Sequence, residues 1–115
     1  MIWLEPWIPI AQLEWDEVKK VDYRRGWETQ LEREVGPLHV LFRRQATLIA
    51  RRFDTDDTLF QLEGNQVAEV HLTWRGGAEP DPLWPNTTIY NSLDDWARTS
   101  MTVEHQDWMA ANGSQ

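Results

Sequence analysis

The chain has no cysteine, no run of apolar residues long enough to cross a bilayer, and only three histidines. The first absence rules out disulfides and thiolate metal sites, so an oxidising compartment is not required and a cytoplasmic location is expected. The second argues against a membrane span, which needs about 18 consecutive apolar residues. The apolar start, Met1 to Ile10, carries Glu5, Pro6 and Pro9 and lacks a basic lead-in, so it does not read as a signal peptide. Among the histidines, at 39, 71 and 105, none has metal-motif spacing such as H-E-x-x-H. Phosphate loop, dinucleotide fingerprint and nucleophile elbow are also missing. No cofactor is expected from these residues.

Length sets the next bound. At 115 residues the chain is one domain, 1-115, with an extended arm at 1-10 and a frayed tail at 112-115. Charge is unevenly placed. Through Arg52 there are 9 Lys/Arg and 8 Asp/Glu; after it there are 2 and 11. An acidic second half repels a phosphate backbone, which disfavours nucleic acid and suits a basic protein partner. Solubility alone would also account for that charge.

Tryptophan is the unusual abundance, with 8 against 3 Phe and 2 Tyr. Indoles bury large area but carry an N–H that needs a partner. Most are expected to build the core; one or two exposed rings would be candidate anchors for a partner. Trp3 and Trp7, in the arm, are candidates for self-association.

The pattern along the chain alternates helical and strand periods. Asp16 can cap a short helix to about Tyr23, with Lys19 and Lys20 exposed near its end. A second helix, Arg24 to Val35, places Trp27, Leu31 and Val35 on one face and stops at Gly36-Pro37. Strands are expected over Ala46 to Phe53, Thr58 to Glu63 and Val67 to Trp74, with an edge strand at Thr87 to Tyr90. The first hairpin sets Arg51 opposite Phe60 and Ile49 opposite Leu62. In the second, a three-residue Gly64-Asn65-Gln66 loop, with a bulge, sets Phe60 against Val70 and Leu62 against Ala68. Ser92 opens a helix with Leu93, Trp96, Ala97, Ser100 and Met101 inward, and Thr102 caps a last one. The expected fold is α+β: an antiparallel sheet of three to four strands, with helices before and after it packed on one face.

Four neighbourhoods are candidate sites. Asp54, Asp56 and Asp57 are dense enough to offer hard oxygen ligands to a divalent cation, though aspartates also favour hairpin turns for local reasons. His71 beside Glu69 could act as a base oriented by a carboxylate, yet a polar strand face turned to water explains both residues without chemistry. Arg43, Arg44, Arg51 and Arg52 form the basic concentration; pairing with the hairpin aspartates is the preferred account, with Arg51 and Arg52 on opposite faces. The long connection from Arg75 to Pro85, flanked by Trp74 and Trp84 and carrying Glu79 and Asp81, is the candidate partner-binding segment, though a loop folded back with Trp84 plugging the sheet end accounts for it at least as well.

His71-Leu72-Thr73-Trp74, Arg52 to Phe60 and the Trp84-Pro85 pair give a resemblance. Across roughly residues 45 to 101 the chain resembles small standalone bacterial proteins without assigned function; the first 35 residues are unmatched. The resemblance implies a bacterial or phage origin and a self-contained fold, and no activity. The function expected from the residues is a non-enzymatic, immunity- or inhibitor-like protein-interaction module. The alternative is a small enzyme or ligand-binding domain using the sheet around His71.

Overall fold

Alternating side chains in the middle of the chain build the sheet, and the computed structural model describes residues 1–112. Five strands, β1 (Trp7–Pro9), β2 (Thr47–Arg52), β3 (Asp57–Gln61), β4 (Val67–His71) and β5 (Asn86–Tyr90), pair antiparallel in sequence order. The fold is α+β, with five strands where three to four were expected. The additional strand comes from the supposed arm. Trp7, Ile8 and Pro9 pair with Arg52, Arg51 and Ala50, and Pro9 is tolerated because β1 is an edge.

One helix, α1 (Glu17–Glu34), replaces the two expected before the sheet. Asp16 caps it by accepting from the Lys19 N–H at 2.8 Å. Its interior contains no breaker stronger than Gly26, which costs about 1 kcal/mol against alanine and is carried by the packed face. Trp27, Leu31 and the capping Val35 form the buried stripe, and the helix stops before Gly36-Pro37 as expected. Lys20 is buried rather than exposed: its ammonium reaches Ala11 O at 3.0 Å.

The sheet is covered on both faces, not one. On one side Trp27, Leu31 and Val35 pack with Leu48, Phe60, Leu62, Ala68, Val70 and Leu72. On the other, Trp96, Ala97 and Met101 pack with Trp7, Ala50, Leu59 and Val67. Leu59 and Phe60 are adjacent and both fully buried, which a strand permits only when each face is roofed.

Register explains how β2 serves both faces. Leu48 opposes Phe60 but Ala50 opposes Leu59, so a bulge at Ile49 inserts one residue and reverses the side-chain alternation. Arg51 therefore opposes Thr58, not Phe60. In the second hairpin Phe60 opposes Ala68 and Thr58 opposes Val70. The loop has three residues, but they are Glu63-Gly64-Asn65, closed by Leu62 N–H to Gln66 O at 2.9 Å, with Gly64 in the left-handed region at φ 71°. The two-residue displacement keeps side-chain parity, so Phe60, Leu62, Ala68 and Val70 still share the core face. The bulge belongs to the first hairpin, where consecutive apolar residues hide the change of phase.

After β5 the chain forms α2 (Leu93–Trp96), a π-helical turn (Ala97–Met101) and α3 (Thr102–Asn112) without interruption. Ser92 caps the start, accepting from Asp95 N–H at 3.1 Å. Thr102 does not cap a separate helix; its backbone is helical and its hydroxyl donates to Ala97 O at 2.9 Å. The expected tail at 112-115 falls outside the described residues beyond Asn112. Among the described residues, no helix is long and apolar enough to cross a membrane.

Candidate functional site

Loop 72–85 leaves β4 at the end of the sheet that also holds the acidic hairpin, since Leu72 N–H donates to Asp56 O at 3.4 Å. Its fixed point is Glu34, fully buried at the end of α1. The Glu34 carboxylate accepts from Thr73 N–H at 2.7 Å, Trp74 N–H at 2.8 Å and the Gln30 side-chain amide at 2.7 Å. Those donors hold Trp74 at φ 59°, a conformation unfavourable for a bulky residue. Glu34 O also accepts from Glu79 N–H at 3.0 Å. Trp74 keeps half of its surface exposed while its edge meets Trp27, with ring centroids 5.1 Å apart.

Glu79, one of the expected partner contacts, turns inward. Its carboxylate accepts from the Thr73 hydroxyl at 2.7 Å and pairs with Arg75 at 3.6 Å. Asp81 is exposed, and it shapes the turn by accepting from Leu83 N–H at 2.9 Å. Leu83 is 76% and Trp84 44% exposed, so Trp84 does not plug the sheet. Pro85, at the end of the loop, is buried.

A second loop, 36–46, meets the first at His39. His39 Nδ1 accepts from Leu41 N–H at 3.0 Å, which leaves Nε2–H to donate to Pro85 O at 2.9 Å. Both ring nitrogens are thus engaged in joining the two loops. The loop exposes Leu38, Val40 and Phe42. Between it and α1 lies a hollow of about 470 Å³ lined by Leu31, Val35, Leu41, Phe42, Arg43 and Arg44. Sequence reasoning missed His39 and Glu34; the only sequence cue was their flanking of a helix stop, where a polar side chain can reach backbone groups of a following loop.

The hairpin carboxylates do not converge. Asp54 is gripped by Arg52 through two contacts of 2.9 Å, whereas Asp57 accepts from the Thr55 hydroxyl at 2.8 Å and contacts His71 Nδ1 at 3.0 Å. Among the described residues, no group of three His, Asp or Glu could hold a metal ion.

His71 is therefore oriented by Asp57, its cross-strand neighbour, rather than by Glu69. It is exposed and takes no part in the hollow between loop 36–46 and α1.

Glu69 is not on a solvent face. It lies beneath the C-terminal helices and accepts from Trp96 Nε1–H at 2.7 Å. Ser100 Oγ, in the π-helical turn, lies 2.8 Å from Glu69 Oε1 and 2.5 Å from Glu104 Oε2. A hydroxyl has one proton to donate, so both contacts are hydrogen bonds only when one carboxyl is protonated. Burial and the negative charge of Glu104 push Glu69 up to about 7. Arg52 reaches Glu104 at 3.1 Å from the hairpin, as well as Asp54. The preference for pairing within the chain is met by Arg52 in this way. Arg51 points to the opposite face, as expected.

The arm tryptophans are not available as an exposed pair. Trp7 is 2% exposed, and Trp3 packs on Trp96 with centroids 5.6 Å apart.

These features define a five-stranded antiparallel α+β domain whose exposed indoles sit on an anchored loop. Comparison with family models, curated proteins and solved structures finds no match to the chain.

Proposed function

We propose that the chain is a protein-interaction module, inhibitor-like in acting by occupancy, and that loop 72–85 is its docking surface. The observation carrying this reading is that Trp74, Leu83 and Trp84 are exposed on a segment tied to the body by Glu34 and His39. Exposed indoles and a leucine held in place lose little conformational freedom on binding, which is how a few residues come to dominate an interface. Asp81 stands in the same loop, and the exposed Asp56 lies beside its base. The fitting partner is a protein with an apolar concavity rimmed by Lys or Arg.

The test is affinity capture with the full chain against a Trp84→Ala, Leu83→Ser variant. A captured partner should be lost by the variant, and its affinity should fall as salt rises. Capture that ignores both the substitutions and ionic strength would remove the reading. Circular dichroism of the variant separates lost binding from lost folding.

A further inference from the structure

A second concavity, with no wall from loop 72–85, lies where β1 and the segment after it, the first half of α1 and the end of β2 meet. It encloses about 230 Å³ and is walled by Ile8, Leu13, Trp15, Tyr23 and Phe53, with one charged group, Arg51. We propose that this cleft binds an apolar monocarboxylate, Arg51 receiving the carboxylate and the rings of Trp15, Tyr23 and Phe53 the apolar group.

Three observations converge on that ligand. The Arg51 side chain spends three N–H groups within the protein, on Arg52 O at 3.0 Å, Tyr23 Oη at 3.0 Å and Thr55 O at 3.3 Å. A guanidinium has five, so two remain. Trp27 covers its face at 4.3 Å, which leaves the N–H edges as its means of binding.

The second observation is electrostatic. Neighbouring Arg52 is neutralised by two carboxylates, yet among the described residues none makes an ion pair with Arg51. A half-buried guanidinium without a counter-charge, in a chain holding 19 Asp/Glu to 11 Lys/Arg, is complementary to an external anion.

Third, the Tyr23 hydroxyl accepts from Arg51, and no hydrogen bond among the described residues uses its own proton. That proton is a second donor beside the guanidinium. Apolar walls with few convergent polar groups are the usual composition of a ligand site. The volume fits one ring or branched chain and excludes a nucleotide. Such a carboxylate has two sources, a free small acid or the C-terminal residue of a peptide.

The experiment is a titration of the full chain, followed by tryptophan fluorescence and two-dimensional NMR, with 3-phenylpropionate and with a hexapeptide ending in phenylalanine. Each has its carboxamide as control. At least one acid should saturate, shifting resonances of Tyr23 and Phe53, with the matching amide at least tenfold weaker. Saturation by the small acid alone assigns a metabolite-like ligand; tighter binding of the peptide assigns a chain terminus. Arg51→Gln should abolish binding and Arg51→Lys should retain part of it. Equal binding of acid and amide, shifts confined to other regions, or no saturation by either acid overturns the proposal. Should Arg51→Gln fail to fold, the acid and amide comparison on the unaltered chain still decides it. No residue of loop 72–85 lines this cleft, and the substitutions at Leu83 and Trp84 leave it unaltered, so the two readings are tested by different variants.

Discussion

Each face of the sheet covers a glutamate, Glu34 fully and Glu69 in part, and the two are given different partners. Under α1, Glu34 is fully enclosed and accepts from two backbone N–H groups and a side-chain amide, while the Thr73 hydroxyl beside it has one proton to share with the Glu79 carboxylate. Under the C-terminal helices, Glu69 meets two donors and a second carboxylate, Glu104. Burial by itself does not decide whether a carboxylate stabilises a fold. The partners do, because each unsatisfied or like-charged neighbour is more costly away from water.

The strongest way to test the contrast is the same substitution on both faces. Glu34→Gln places an amide NH₂ against a backbone N–H, Thr73 or Trp74 in whichever orientation it takes. Urea unfolding should show a loss of about 2–3 kcal/mol, with faster hydrogen exchange at Trp74. An unchanged midpoint would mean that loop 72–85 is held by something else.

Glu69→Gln should act in the other direction. The amide mimics the protonated acid, accepting from Trp96 and Ser100 while donating toward Glu104. The sign follows from linkage. A carboxyl raised to about 7 when folded, against an ordinary 4.5, holds its proton more tightly in the native state. Its contribution is complete below the ordinary value and is lost as pH rises through about 7. The variant should therefore exceed the parent in stability above pH 7 by about 1–3 kcal/mol, and match it near pH 4. Thermal melts across that range would measure the difference, and a parent whose stability does not fall between those limits would contradict it.

The smallest effect is expected for Ser100→Ala, about 0.5–1 kcal/mol at neutral pH. Losing this hydroxyl removes a bond that favours ionised Glu69, so the falling limb should move to higher pH. A limb that stays in place would show that Ser100 is not part of the pair.

Much of the α1 face was legible in the sequence. Trp27, Leu31 and Val35 keep helical spacing, Gly36-Pro37 marks the stop, and Phe60, Leu62, Ala68 and Val70 keep strand parity even where the loop is displaced. The second covered face was less visible, although the consecutive Leu59-Phe60 and Val67-Ala68 pairs carried its signal: adjacent apolar residues in a short strand need two roofs. Ile49 hid the bulge, because a run of apolar residues has no alternation to interrupt. Pro6 and Pro9 on either side of Trp7 mask the edge strand in the sequence. The exposure of Trp74 and Trp84 on the long connection after β4 agrees with the expectation that one or two indoles stay outside the core. Glu34, His39 and the Arg51 cleft were not anticipated, since a charged residue's burial depends on distant donors that periodicity does not encode.

Strand order has a kinetic consequence. β2 to β5 are neighbours along the chain as well as in space, so their pairing closes comparatively short loops. Only the pairing of Trp7–Pro9 with β2 must close a loop containing the whole of α1. The β2–β5 meander can therefore assemble early, with the first strand docking late and sealing Trp7 against an already formed wall.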